Sequence, residues 1–134
     1  MADPKKPGGA PRDAGDAGEA FAAACLEAEG FCVVARNFRA RQGEIDIVAC
    51  GPKGHRGRGD AEFLVFVEVK ARKPDSMVRP EESVDYHKQR RLRAAAEHYL
   101  AGHPTASQPR FDVMCVEHGP EGEIRLSNWI ENAF

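Results

Sequence analysis

Two apolar stretches that carry charges in their midst constrain this 134-residue chain most. The first is Gly43-Glu44-Ile45-Asp46-Ile47-Val48-Ala49, and the second is Phe63-Leu64-Val65-Phe66-Val67-Glu68-Val69-Lys70. Both are rich in Val, Ile and Phe, and Gly, Pro and charged residues lie between them, which predicts strand, irregular connection, strand. Side chains alternate faces along a strand. Leu64, Phe66, Glu68 and Lys70 are therefore expected on one face, with Phe63, Val65, Val67 and Val69 on the other. Glu44 and Asp46 are expected opposite Ile45 and Ile47. A carboxylate on such a strand needs a partner, because burying one unpaired is very costly.

If the two strands are neighbours, Asp46, Glu68 and Lys70 converge at one edge or end of a sheet. Two carboxylates can hold Mg²⁺, a hard cation that takes oxygen ligands and keeps several waters. An Asp, a variable gap and then Glu-x-Lys on an apolar strand is the pattern of the PD-(D/E)XK nucleases. The same residues also suit an ordinary cross-strand ion pair on an exposed face, and the spacing alone leaves both open.

Length and composition bound the rest. The chain suffices for one domain with one core, and 42% hydrophobic with 30% charged residues is ordinary for a soluble protein. No apolar run approaches the roughly 20 residues that span a bilayer. The N-terminus has no apolar h-region, so no membrane association is expected and the expected location is the cytoplasm. Cys25, Cys32, Cys50 and Cys115 form no Cys-x-x-Cys and are expected as small core residues in a reducing compartment. The five histidines are too scattered for a zinc site. A net charge of −2 argues against indiscriminate binding to polyanions. Lys and Arg nevertheless cluster at 36–41, 53–58, 70–73 and 88–93, which hold 13 of the 19 basic residues and suit a nucleic-acid footprint on one side.

In chain order, residues 1–14 are Pro-, Gly- and Ala-rich and are expected as a disordered tail ahead of a domain over 15–134. A helix is predicted from Asp16 or Ala17 to Glu29, with Asp16 as N-cap, a stripe of Phe21, Ala24, Cys25 and Ala28, and Gly30 ending it. Glu19 is then either the carboxylate of a capping box or a third acid near the metal. Phe31–Arg36 reads as a strand, and 37–43 as a turn from which Arg36, Arg39 and Arg41 could contact phosphates. Gly51–Asp60 is a Gly-rich basic connection without the Gly-Lys-Ser/Thr of a P-loop. A second helix follows from Pro80 or Asp85 to Ala101, with Leu92, Ala95, Ala96 and Tyr99 buried. Lys88 lies one turn before Leu92 and either snorkels outward or reaches the carboxylates. Arg90, Arg91 and Arg93 are expected to face solvent or ligand. Strands over 110–116 and 124–126 close the chain. Asp112 is expected to point outward and to pair with Arg110 or another arginine, and Trp129, Ile130 and Phe134 to pack the C-terminus. The order is helix, three strands, helix, two strands: a mixed sheet flanked by helices.

Taken together, these landmarks resemble the YraN-like family of predicted endonucleases, small relatives of archaeal Holliday-junction resolvases. The resemblance rests on Gly18-Glu19-Ala20, Arg36-Asn37, Gly43-Glu44-Ile45-Asp46, and Val65 through Lys70 with Arg72. It continues through Lys88, Arg91-Leu92, Tyr99-Leu100, Arg110-Phe111-Asp112-Val113 and the closing Asn132-Ala133-Phe134. It implies an α/β, restriction-endonuclease-like fold of order α-β-β-β-α-β-β and raises Glu19 to a site residue. The chain departs from the family pattern in the length of its 51–60 loop and in Met77-Val78-Arg79-Pro80, where a Phe-Gly turn is usual.

The expected activity is Mg²⁺- or Mn²⁺-dependent hydrolysis of phosphodiester bonds, structure-specific or non-specific, with DNA as the partner. Asp46, Glu68 and the Val69 carbonyl would hold the metal, Glu19 would hold a second ion or a metal water, and Glu44 is an auxiliary candidate. Lys70 would orient water or stabilise the transition state. Arg36, Arg39, Arg41, Arg72, Lys88 and Arg91 would hold the backbone, contacts that carry no base sequence. The alternative is a non-catalytic nucleic-acid- or partner-binding module on the same scaffold. A homodimer is expected only by analogy with the resolvases.

Overall fold

The computed structural model describes residues 14–51, 63–72 and 84–134. The elements are α1 (Ala14–Ala28), β1 (Cys32–Ala40), β2 (Gly43–Cys50), β3 (Phe63–Arg72), α2 (Tyr86–Gly102), β4 (Gln108–His118) and β5 (Ile124–Ile130). Their order, α-β-β-β-α-β-β, matches a restriction-endonuclease-like topology. The expectations for the 1–13 tail, for most of the 51–60 loop, for Met77–Pro80 and for a helix start at Pro80 fall outside the described residues. Among the described residues no helix is long and apolar enough to cross a membrane.

One five-stranded sheet runs in the order β1-β2-β3-β4-β5. All neighbours are antiparallel except β3 and β4, which are parallel over Phe63↔Gln108 to Arg72↔Glu117. Parallel neighbours need a crossover, and α2 lies in it. The two helices cover opposite faces. Ala22, Ala23 and Leu26 of α1 pack with Ile47, Ala49, Val65, Val67 and Met114. Leu92, Ala95, Ala96 and Tyr99 of α2 pack with Ile45, Val48, Leu64 and Phe66. The central strands are therefore buried on both sides, which explains their near-continuous apolar run.

The second helix follows its sequence closely. Asp85 caps it, its carboxylate accepting from the Lys88 N–H at 2.9 Å, and the buried stripe is Leu92, Ala95, Ala96 and Tyr99. The first helix does not. It begins at Ala14, so Asp16 lies inside its first turn rather than at the cap. Ala24 and Ala28 are exposed, whereas Ala22, Ala23 and Leu26 are buried. In a run this rich in alanine, helical spacing alone does not select a face; the one leucine does. Gly30, at φ 92, ends the helix as expected, and the Phe31 N–H bonds back to Leu26. Gly18 lets α1 lie against β4, since a Cβ there would stand 3.0 Å from Val116 Cγ2.

Strand β1 continues through Asn37 to Ala40 instead of turning at 37. Asn37 adopts φ 55, a left-handed conformation that Asn tolerates better than most residues. Across it the strand changes face: Arg36 reaches toward Glu19 on α1, while Phe38 packs into the α2-side core. Their partners on β2, Ile47 and Ile45, follow and lie in opposite cores. The strict alternation expected for Ile45 and Ile47 is broken there.

Asp112 points inward, not outward, and is 1% exposed. It accepts two hydrogen bonds of 2.9 Å from Arg110, one of 2.8 Å from Trp129 Nε1 and one of 3.0 Å from the Asn132 N–H. Arg110 lies over the Phe63 ring at 4.8 Å. This cluster fastens β5 and the C-terminus to the sheet. Arg93, expected in solvent or against ligand, lies 5.3 Å from the centres of both Phe111 and Phe134. Cys115 is buried and Cys25 and Cys50 half-buried, but Cys32 is exposed on the edge strand β1. Replacing Asp112 by Ala would strand a buried guanidinium and should cost about 3–5 kcal/mol. Urea unfolding would show this as a lower midpoint with an unchanged m value.

Candidate functional site

Strands β2 and β3 pair from Cys50↔Leu64 to Ile47↔Val67, and there the ladder stops. The next N–H of β3 that points toward β2 belongs to Val69, and it donates to Asp46 Oδ2 at 2.8 Å. A side-chain carboxylate thus takes the place of a backbone carbonyl where β2 peels away. The separation leaves a notch, and a cavity of about 430 Å³ opens from it. Glu19, Gly43, Glu44, Asp46, Glu68, Val69, Ala71, Lys88, Arg91 and Leu92 line this cavity, so α1, β2, β3 and α2 all contribute.

The face of α1 that enters the core sets Glu19. Residues 19, 22, 23 and 26 are related by helical spacing, so burying Ala22, Ala23 and Leu26 turns Glu19 toward the end of the sheet. Its carboxyl lies beside that of Asp46, close enough for each to shift the other's titration. Arg36 stands 4.0 Å away, Asp16 and Asn37 are also near, and the buried Oε1 has no hydrogen-bond partner. The capping role is therefore not the one Glu19 plays. On the α2 side, Glu68 is 6% exposed. Its Oε2 stands 3.2 Å from Lys70 Nζ and 3.1 Å from Lys88 Nζ. Lys88 thus turns inward to the carboxylate. Gly43 allows α2 to approach this closely, because a Cβ there would lie 3.0 Å from the Arg91 carbonyl oxygen.

Burial, then the nearby Glu68 charge, pushes the Asp46 carboxyl up to about 7, against the opposing Val69 N–H; Glu19 adds to the rise. Burial also raises Glu19, opposed by its contact with Asp46 and by Arg36. The two acids share their site as a pair that retains a proton near neutrality.

The residues expected from sequence fall into two groups. Glu19, Glu44, Asp46, Glu68, Val69, Lys88 and Arg91 border the cavity, and Lys70 reaches it through Glu68. Arg36 touches the edge of the group at Glu19. Arg39, Arg41 and Arg72 do not line the cavity: Arg39 lies 3.9 Å from Glu44 on the exposed hairpin, Arg41 is exposed in its turn, and Arg72 donates to the Ala71 carbonyl. Among the described residues no three His, Cys, Asp or Glu side chains stand close enough to form a ready-made metal-ligand group. Gly43, Ala71 and Leu92 were not expected at the site. Glycine beside Glu44 is the one sequence signal that could have flagged the close helix approach.

A protein-family model described as "Uncharacterised protein family UPF0102" matches residues 18–116. The "UPF0102 protein STH1475" of Symbiobacterium thermophilum is 45% identical over 124 residues, covering 92% of this chain and 97% of its own. A "UPF0102 protein" of Alcanivorax borkumensis is 42% identical over 125 residues, covering 92% of each. The "UPF0102 protein RSc3265" of Ralstonia nicotianae is 43% identical over 135 residues, covering 98% and 92%.

The raised Asp46 carboxyl makes a stability prediction with a definite sign. Its folded value, about 7, lies above the ordinary 3.8. The stabilisation is full below about pH 3.8 and is lost as pH rises through 7. In chelator, the stability of wild type relative to Asp46→Asn should fall by about 1.4 kcal/mol per pH unit between pH 5 and 7. Urea midpoints at stepped pH would measure it.

Proposed function

The chain belongs to the UPF0102 family, and from that premise we propose that it is a divalent-metal-dependent nuclease acting on DNA. The observation that carries this reading is the meeting of Glu19, Asp46 and Glu68 at one cavity, with Lys70 and Lys88 against the last of them. The resemblance to the YraN-like endonucleases and the restriction-endonuclease-like topology support it.

The donor chemistry fits a hard cation. Asp46 and Glu68 supply carboxylate oxygens, and Glu19 has a buried oxygen without a partner. In a strand, a residue's carbonyl points the same way as its N–H, so the Val69 carbonyl faces the notch together with the N–H bonded to Asp46. These are hard oxygen donors suited to Mg²⁺ or Mn²⁺. The chemistry such an ion supplies when bound is polarisation of a phosphoryl oxygen and acidification of a water.

The chain's own residues do the rest. To serve as a ligand Asp46 would release its proton to solvent, and the Val69 N–H holds the carboxylate in orientation. Lys70 and Lys88 stand on the charged side of Glu68, where either ammonium can turn to the negative charge that builds on a phosphoryl group. Lys88 borders the cavity and Lys70 reaches it through Glu68; the role assigned to Lys70 is to orient water and stabilise charge. Arg91, at the cavity rim, holds a neighbouring phosphate. Arg36 serves as a further cation at the Glu19 side. These contacts read backbone rather than bases, which favours structure-specific or non-specific cleavage.

One observation favours a second reading. Glu68 is already neutralised by two ammonium groups, and no ready-made ligand group stands among the described residues. A non-catalytic nucleic-acid- or partner-binding module on this scaffold would look the same.

The deciding experiment is cleavage of branched, flapped and single-stranded DNA with Mg²⁺, Mn²⁺ or chelator. Wild type should cut only with metal, and Asp46→Ala and Glu68→Ala should abolish cutting. Lys70→Met should lower the rate by roughly 10²–10³-fold. Equal inactivity of wild type and Asp46→Ala under every metal would sink the enzymatic reading in favour of the binding module.

A further inference from the structure

A second cavity, of about 280 Å³, adjoins the first and shares Arg91 with it. Its other lining residues are Gln42, His87, Arg90 and Ala94. The chemistry changes across the shared arginine. The first cavity is walled by four carboxylates, and the second by two guanidiniums, an imidazole and an amide, with no acid among its lining residues. His87, Arg90, Arg91 and Ala94 present one face of α2, and Gln42 comes from the β1–β2 turn, so two elements form the walls. Beside this notch stands Tyr86, 67% exposed, the more exposed of the two solvent-facing large apolar side chains among the described residues. Its ring meets His87 edge-on at 5.9 Å, and Arg90 lies 5.8 Å from its centre.

We infer that this notch and Tyr86 together form a subsite for one unpaired nucleotide next to the cleavage cavity, its phosphate held by Arg90, Arg91 and His87 and its base stacked on Tyr86. The inference rests on the nuclease reading for its orientation and deepens it by naming the substrate class: DNA with a single-stranded segment, rather than continuous duplex. A phosphate needs converging donors, and Arg supplies them as a planar fork. A base needs a flat face, and an aromatic ring beside cations is the usual platform for single strands. In a continuous duplex the bases are stacked on one another and present no free face to Tyr86. Arg91, on the wall of both cavities, places the two phosphates in succession along one strand. The Arg39–Glu44 pair lies on the neighbouring hairpin, and Glu44 lines the first cavity but not the second.

The test is binding in chelator, where no cutting occurs, followed by fluorescence anisotropy with labelled oligodeoxythymidylate, a duplex with a single-stranded flap and a blunt duplex. Wild type should prefer the first two over the blunt duplex. Tyr86→Ala should weaken binding to them by roughly 5- to 100-fold and leave the blunt duplex unchanged, while Tyr86→Phe should keep wild-type affinity. Arg90→Ala should weaken binding to both single-stranded probes and lower the salt slope by about one. Tyr86 and Arg90 are exposed, so circular dichroism should match wild type in all variants. No binding of oligodeoxythymidylate at low salt, or Tyr86→Ala acting equally on blunt duplex, overturns the subsite. The nuclease reading is judged separately, since metal-dependent cutting by Tyr86→Ala would leave it standing, and binding without cutting would leave only the subsite.

Discussion

The N–H of Val69 bonded to the carboxylate of Asp46 is the interaction on which the site depends. A sheet satisfies its backbone groups by pairing, and a strand that leaves its neighbour exposes donors that must find another partner. Here β2 pairs with β3 only from Ile47 onward, and the side chain of Asp46, just ahead of it, closes the gap beyond Val67. The separation makes room for a cavity in the plane of the sheet, where residues from both faces can meet. Glu19 comes from the α1 side and Lys88 from the α2 side; in an intact ladder the sheet itself would stand between them.

The same geometry explains the electrostatics. Three acids at the end of a buried sheet repel one another, and the fold answers in two ways. Glu68 is held by two ammonium groups at hydrogen-bonding range. Asp46 and Glu19 are instead made weaker acids, chiefly by burial. The arrangement also keeps an acid and a base of the same charge cluster on different elements, so the balance depends on α1 and α2 docking together on the sheet.

Much of this was legible in the residues and some was not. The stripe of α2 was readable because Leu92 and Tyr99 stand out in an otherwise charged helix. The pairing of β2 with β3 followed from their shared apolar character. The face of α1 was not readable, because nearly every candidate position is alanine and the decision falls to Leu26 and to Gly18 against Val116. That error had a consequence, since the true face is the one that aims Glu19 at Asp46. The split of Ile45 and Ile47 between two cores was hidden for another reason: its cause, Asn37 at φ 55, lies on the adjacent strand. Asp112 was misjudged as outward because alternation with two apolar neighbours suggests solvent. The partners that make its burial affordable, Trp129 and Asn132, come from the far end of the chain.

Every residue bordering the larger cavity lies between positions 19 and 92, whereas the Arg110–Asp112 cluster that ties down the C-terminus lies wholly beyond it. The last third of the chain is thus a buttress: it braces one long side of β3 along its length, while β2 leaves the end of the other side, beyond Val67, bordering the cavity. No residue of β4 or β5 lines the larger cavity, so substitutions within the Arg110–Asp112 cluster change how firmly the C-terminus is fastened without replacing any side chain on the cavity wall.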